Sequence, residues 1–376
     1  MKSIPAPAFH TPITFKLAIA TLLMGLLTPS LRAADSRQIL KQIGVSRGIC
    51  AIVGKNAAPL AVELANASEL IVYVQSPTES DTLAARRNVE KAGLLGSRVY
   101  VERGSRETLN LADNLADAVI VLNPTASIDS LKGSGLAVAL HPRGRLIAGD
   151  QVWTKPAPDG EGSWSHPYHG PDNNPQSTDK LAVGPYLTKF LAEPYYGPMP
   201  EVTVSAGGRM FKAFGHISFK KREWAMLNSL AAFNAYNGTL LWRRELAPGF
   251  MIHRNTIVAT DDTLFLGDND SCKLIAAATG ELKREIKFNK SPGWKWMALE
   301  GGILYALLGD KEPIDETLHG IREKSGWPWS GMGKMYDKKV DYKWGFGKTL
   351  VAIDPSSGGT LWTREYKSPS TAGEWR

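Results

Sequence analysis

AFNAYNGTLLW, residues 232–242, returns 120 residues later as AIDPSSGGTLW, residues 352–362. Both copies open on alanine (Ala232, Ala352), place an amide or acid two positions on (Asn234, Asp354), turn at Gly238 or Gly358, and close on Trp242 or Trp362. Self-similarity at a fixed spacing marks solenoids, propellers and arrays. A weaker copy, LIAAATGELKR at 274–284, lies between them. Aligned on Gly280, it carries Ala276 in place of the amide or acid and Arg284 in place of tryptophan. Apolar residues on both sides of the turn make each copy a β-hairpin, with Asn237-Gly238, Thr279-Gly280 and Ser357-Gly358 as turn pairs.

Each copy follows a second hairpin candidate. VTVSAGGRMFKAF (202–214), TIVATDDTLFLG (256–267) and WMALEGGILYALLG (296–309) all place Gly-Gly or Asp-Asp between alternating strands. Two hairpins make a four-stranded antiparallel sheet, the unit of a propeller blade. Gly238 and Gly280 stand 42 residues apart, one blade length. Gly280 and Gly358 stand 78 apart, and the excess falls in an insertion over about 311–346. Trp327, Trp329, Tyr336 and Trp344 lie among lysines in that insertion, as a carbohydrate or small-ligand loop would have them, and equally as a cap on a blade edge would. Three blades fit, whereas propellers close with about four to eight. Three leave sheet edges exposed, so the sequence predicts an incomplete β-propeller over 200–376, the amino-terminal part of a longer protein.

These phrases resemble the repeats of pyrroloquinoline-quinone-type (quinoprotein-like) propellers, A-x-D-x-x-T/S-G-x-x-x-W, over about 227–246, 272–287 and 348–366. WSHPYHGPDNNPQS (164–177) also resembles the segment that introduces such propellers. The resemblance implies a fold used by non-enzymatic scaffolds and by dehydrogenases alike. The dehydrogenases need Ca²⁺ held by carboxylates and amides beside the quinone, an aspartate base and, commonly, adjacent cysteines. This chain has two cysteines, Cys50 and Cys272, far apart in sequence. That spacing gives no disulfide framework and no metal signature.

Upstream the pattern changes. ICAIV (49–53), LIVYV (70–74) and AVIVL (118–122) are short continuous apolar runs, and APLAVELANA (58–67) and DTLAARRNVEKAGL (81–94) have helical spacing. Alternating strands and helices predict a parallel α/β sheet, whose ligands sit at the carboxyl ends of the strands. CAIVGKNAAPLAVELA, VYVQSPTESDTLAARRNVEKAGL, LADNLADAVIVL and HPRGRLIAG resemble the class I S-adenosylmethionine-dependent methyltransferase fold. In that family the first loop reads G-x-G-x-G, an acid ends the second strand and another acid meets the adenine end of the cofactor. Gly54, Asn56 and Ala58 stand at the loop positions here, Gln75 at the first acid position and Ser105 near the second. The resemblance therefore implies a Rossmann-like domain over 35–150 that has lost its S-adenosylmethionine site.

Residues 1–33 combine Lys2 and Lys16, the apolar run LAIATLLMGLL (17–27) and the small-residue stretch SLRAA, the pattern of a secretory signal peptide cleaved after Ala33. Eleven apolar residues are too few to span a bilayer, so no transmembrane span is expected after cleavage. Cleavage removes Lys2, Lys16 and Arg32 with no acid, lowering the formal charge from +7 to +4. With no dense basic stripe elsewhere, no nucleic-acid partner is expected. Residues 151–200 are rich in Pro, Gly, Asn and Asp and read as a junction. His166, His169 and Asp172 there are ligand types for a metal. Pro167 separates the histidines and no second ligand pair follows, so no metal is assigned. With Trp164 and Asn173, the two histidines are expected to fasten the segment to the next domain through side-chain to backbone hydrogen bonds.

The whole predicts an exported periplasmic or envelope protein: a Rossmann-like domain followed by about three quinoprotein-type blades. It acts as a non-enzymatic binding or scaffold protein for other envelope proteins. The alternative is a quinone-dependent oxidoreductase using pyrroloquinoline quinone with Ca²⁺.

Overall fold

The computed structural model describes residues 36–184, 187–188, 190–200, 202–215, 218, 220–246, 255–311 and 347–366. The expected signal peptide and the aromatic insertion with Trp327, Trp329, Tyr336 and Trp344 lie outside the described residues.

A helix over 36–43 (α1) leads into β1 (Arg47–Val53), α2 (Ala58–Ala67), β2 (Glu69–Ser76), α3 (Glu79–Lys91), β3 (Val99–Arg103) and β4 (Ala116–Val121). Two short helices follow, α4 (Ile128–Lys132) and α5 (Gly135–Ala139), then β5 (Leu140–Ala148) and β6 (Gln151–Thr154). β1 from Ile49 and β4 from Ala118 are continuous apolar runs because both faces of the sheet are covered. Cys50 and Ile52 face a core with Ala61 and Leu64 of α2 and Val89 of α3. Ala51 and Val53 face the opposite core with Leu131 of α4 and Leu136 of α5. The strand order is β3-β2-β1-β4-β5-β6, parallel except for the β5–β6 hairpin. This is the doubly wound, Rossmann-like order, with its switch point between β1 and β4. The first sheet continues to Thr154, so the boundary expected at 150 cuts off its last strand. QVWT is a short, mostly exposed edge and has no apolar run to announce it.

The rest of the described chain is β-rich. β7 (Val202–Ala206), β8 (Arg209–Phe214), β9 (Ser229–Asn234) and β10 (Leu240–Glu245) form one antiparallel meander. A second consists of β11 (Ile257–Ala259), β12 (Thr263–Gly267), β13 (Cys272–Ala276) and β14 (Leu282–Ile286). β15 (Gly293–Glu300), β16 (Ile303–Gly309), β17 (Gly347–Ile353) and β18 (Thr360–Glu365) make the third. Val204, Phe211, Leu230, Ile257 and Leu264 pack between the first and second sheets. Phe265, Leu274, Trp294, Leu304 and Val351 pack between the second and third. The leading strands β7, β11 and β15 lie side by side.

The turn of the repeated phrase differs from the two-residue turn expected. Gly238 N–H donates to Asn234 O (2.8 Å) and Asn234 N–H to Thr239 O (2.9 Å), enclosing a four-residue loop. The same pair of bonds recurs at Ala276 and Gly280, and at Asp354 and Gly358. Glycine closes each loop at φ +73°, +76° and +78°, a left-handed conformation that side chains resist. Asn234 Oδ1 accepts from the N–H groups of Tyr236 (2.8 Å) and Asn237 (3.3 Å), and Asp354 Oδ1 from Ser356 N–H (2.9 Å). The amide or acid of the phrase is thus an Asx-turn former. Ala276 offers no side-chain acceptor, and in its loop Thr279 Oγ1 accepts from Glu281 N–H (3.3 Å).

Candidate functional site

The carboxyl ends of β1, β2 and β4 are where the α/β fold places a ligand. Gly54 is at φ +135° against Leu122, where a Cβ would come within 3.0 Å of the leucine Cβ. Asn56 takes a left-handed conformation at φ 55°, and Ala58 is buried in the first turn of α2. Gln75, wholly buried near the end of β2, is saturated by the chain that follows β3. Its Nε2 donates to Ser105 O (2.7 Å) and Thr108 O (2.6 Å), and its Oε1 accepts from Asn110 N–H (2.9 Å) and Tyr73 Oη (3.2 Å). Ser105 Oγ in turn accepts from the N–H groups of Glu107 and Thr108, both at 3.0 Å, and shapes the loop. Arg106 reaches past β1 and donates to Leu122 O (2.8 Å) and Asn123 O (2.9 Å) beyond the end of β4. At the switch point, Gln75 thus has no free polar atom, and the Arg106 guanidinium crosses from the end of β3 to the end of β4.

The opposite end of the same sheet carries a buried polar centre that sequence reading missed. Asp117, the second residue of β4, accepts from Ile49 N–H (2.8 Å), Asn234 Nδ2 (2.9 Å) and Asn237 Nδ2 (3.0 Å). His141 Nε2 lies 3.1 Å from Asp117 Oδ1, and its Nδ1 faces Pro142 O at 2.5 Å. Asn237 Nδ2 also donates to Leu115 O (2.9 Å). The turn of the first repeat thus docks onto the amino-terminal edge of the α/β sheet. Beside it, Tyr236 stacks on His141 with ring centroids 5.0 Å apart. Arg143 Nη1 joins Glu161 (2.9 and 2.8 Å) and Tyr236 Oη (2.5 Å). The available signal was Asp117 itself, an acid inside the apolar run LADAVIVL.

In the junction, three successive residues each bond to a different antiparallel sheet. Trp164 pairs with Ser205 of β7 through both backbone groups (3.0 and 2.7 Å), and Ser165 O accepts from Ala259 N–H of β11 (2.9 Å). His166 Nε2 accepts from Leu299 N–H of β15 (3.1 Å). With Nδ1 2.8 Å from Ser165 Oγ, both ring nitrogens of His166 are engaged. His169, Asn173 and the Trp164 side chain do not fasten the segment outward as expected: Trp164 Nε1 donates to Pro167 O (3.2 Å) within it. His169 pairs with the backbone of His166, and Asn173 N–H donates to Gly170 O. Among the described residues no group of three His, Cys, Asp or Glu side chains is placed to hold a metal ion, Asp172 included. Cys50 and Cys272 are fully buried, and burial drives both thiols up, away from the reactive thiolate.

Each repeat also docks on the next. Trp242 Nε1 donates to Ala277 O (2.9 Å), and its ring lies against Gly280, where a Cβ would meet it at 2.6 Å. Arg284, at the equivalent place, donates through Nη1 to Ser356 O and lies against Gly358. Trp362 stands 45% exposed.

No protein-family model and no curated protein matches the chain. Among solved structures, it is similar to a proposed S-adenosyl-L-methionine-dependent methyltransferase of Methanococcus maripaludis, at 16% identity over 39% of this chain and 67% of that one, TM-score 0.29. It is also similar to an S-adenosylmethionine-dependent methyltransferase of Aquifex aeolicus (20%, 30% and 62%, TM-score 0.25). A third is the geranyl diphosphate C-methyltransferase of Streptomyces coelicolor (11%, 32% and 45%, TM-score 0.29). The chain spans between about half and two thirds of these proteins. The strand order, not this likeness, carries the Rossmann-like fold. Among the described residues no helix is long and apolar enough to cross a membrane.

Proposed function

We propose that this protein is an exported, non-enzymatic scaffold whose three antiparallel sheets are successive blades of a quinoprotein-type propeller. The observation that carries this reading is the docking of one repeat on the next. Trp242 on Gly280 and Arg284 on Gly358 join neighbouring sheets through equivalent positions, as a ring built from one repeated unit requires. The side-by-side placement of β7, β11 and β15 supports the same reading, since leading strands line a propeller axis. The saturation of Gln75 and the bridge made by Arg106 support a supporting, not catalytic, role for the α/β sheet. Envelope proteins are the expected partners.

Calorimetric titration of the full chain with pyrroloquinoline quinone plus Ca²⁺, and separately with S-adenosylmethionine, tests this reading. Neither ligand is expected to give a saturable isotherm. Saturable quinone binding would replace the scaffold with an oxidoreductase, and saturable S-adenosylmethionine binding would overturn the lost-site reading of the α/β domain.

A further inference from the structure

We propose that the crevice between the α/β sheet and the first antiparallel sheet binds a small oxyanion, a phosphate or carboxylate head group, between the guanidinium groups of Arg143, Arg145 and Arg209. A cavity of ≈ 110 Å³ lies there, room for several water molecules, with all three arginines in its wall. A second cavity of ≈ 240 Å³ adjoins it and shares Arg143, Gly207, Gly208 and Arg209.

The charge around the smaller cavity is unbalanced. Three arginines face one acid, Asp117, and that carboxylate is already occupied by Ile49, Asn234, Asn237 and His141. The larger cavity adds two acids, Glu161, paired with Arg143, and Asp261, whose charge acts on Arg143 and Arg209. The arginines are fixed but not used up. Among the described residues each is held through Nη1 alone: Arg143 by Glu161 and Tyr236, Arg145 by Lys41 O (3.2 Å) and Gln42 O (2.7 Å), Arg209 by Gly207 O (3.3 Å) and Asp261 O (3.1 Å). Nε and Nη2 of all three have no described protein acceptor. A guanidinium held at one corner with its fork open is the donor arrangement that matches carboxylate and phosphate oxygens.

Two local features maintain the arrangement. Arg143 sits at φ +69°, a left-handed conformation that side chains resist, with its guanidinium held by Glu161 and Tyr236. Gly208, at φ +71°, leaves the wall low, since a Cβ there would meet the Tyr236 ring at 2.7 Å. Arg209 is held below its ordinary pKa by burial, with the charges of Asp261 and Asp262 opposing and that of Arg143 reinforcing. The larger cavity, lined by Ser163, Ser205, Glu161 and Asp261, suits a hydroxylated body attached to the anionic head.

This inference does not depend on the propeller reading. The test is isothermal titration of the full chain at low ionic strength with sodium phosphate and with sodium malonate, using sodium chloride as the charge control. One-site saturable binding of phosphate or malonate, but not chloride, is expected, and the tighter of the two identifies the head group. Arg209→Gln is expected to weaken that binding at least tenfold, and Arg145→Gln serves in its place if the first variant does not fold. Absence of saturable binding to the unaltered chain would overturn the proposal. Binding that chloride reproduces, or that the folded variant retains undiminished, would reduce it to general surface attraction and overturn it as well.

Discussion

Asp117 joins the α/β sheet to the first repeat. It is buried: donors from β1 and from the first repeat converge on its two oxygens, and His141 Nε2 of β5 lies 3.1 Å from Oδ1. A buried acceptor with several donors is costly to remove because each donor is then left without water or partner. Gly48 exists for this contact: a Cβ there would lie 2.4 Å from Asp117 Oδ2. Asp117→Asn places an NH₂ group among donors, so it is expected to lower stability by about 3 kcal/mol. Urea unfolding of the full chain followed by circular dichroism measures this. A loss under about 1 kcal/mol would mean that the network is not what joins the α/β sheet to the first repeat.

The repeated phrase makes a second, sharper comparison, between elements. Trp242 and Trp362 occupy the same place in β10 and β18, yet the first is 7% exposed against Gly280 and the second 45% exposed. Trp242→Ala removes a packed ring and its bond to Ala277 O, an expected cost of about 3–5 kcal/mol. Trp362→Ala, at the same sequence position of the repeat, is expected to cost less than about 1 kcal/mol in this chain. Paired urea titrations read the difference, and equal costs would sink the docking argument. The hairpins themselves were legible because Gly207-Gly208 and Gly301-Gly302 sit between alternating runs and take the positive φ such turns demand. The Asn237-Gly238 pair misled, since Gly238 ends a four-residue loop folded by Asn234. β6 was not legible at all, because an edge strand of four residues needs no apolar run.

At the scale of the whole molecule, what sequence could not reveal is consistently long-range. Gln75 was recognisable as a missing acid, but its saturation depends on a loop some thirty residues downstream. Arg106 is an unremarked arginine in a polar stretch until the fold lays it across the end of β4. Asn234 marks a repeat in sequence and binds Asp117, 117 residues away, in space. The junction behaves in the same way. Its histidines suggested either a metal or a fastening, and only the fold shows that Trp164, Ser165 and His166 each reach a different sheet.

That stitch carries a pH dependence. His166 is 4% exposed, and burial holds it down at about 4, with the charge of Asp172 opposing and that of His169 reinforcing. Accepting from Leu299 N–H requires a lone pair on Nε2, so the bonded form is the neutral tautomer with its proton on Nδ1, facing Ser165 Oγ. Between pH 6.5, the ordinary value, and about 4, the unfolded chain binds a proton that the native chain refuses. Stability from this group is therefore complete above pH 6.5 and declines as the pH falls, by about 3 kcal/mol at pH 4. His166→Gln keeps an oxygen able to accept from Leu299 N–H and does not titrate. Urea midpoints of both chains at pH 7, 5.5 and 4.5 separate this residue from the carboxylates common to both. The unaltered chain is expected to lose stability more steeply than the variant across that window. Parallel pH profiles would show that the three sheets do not depend on a neutral His166 for their attachment to the junction.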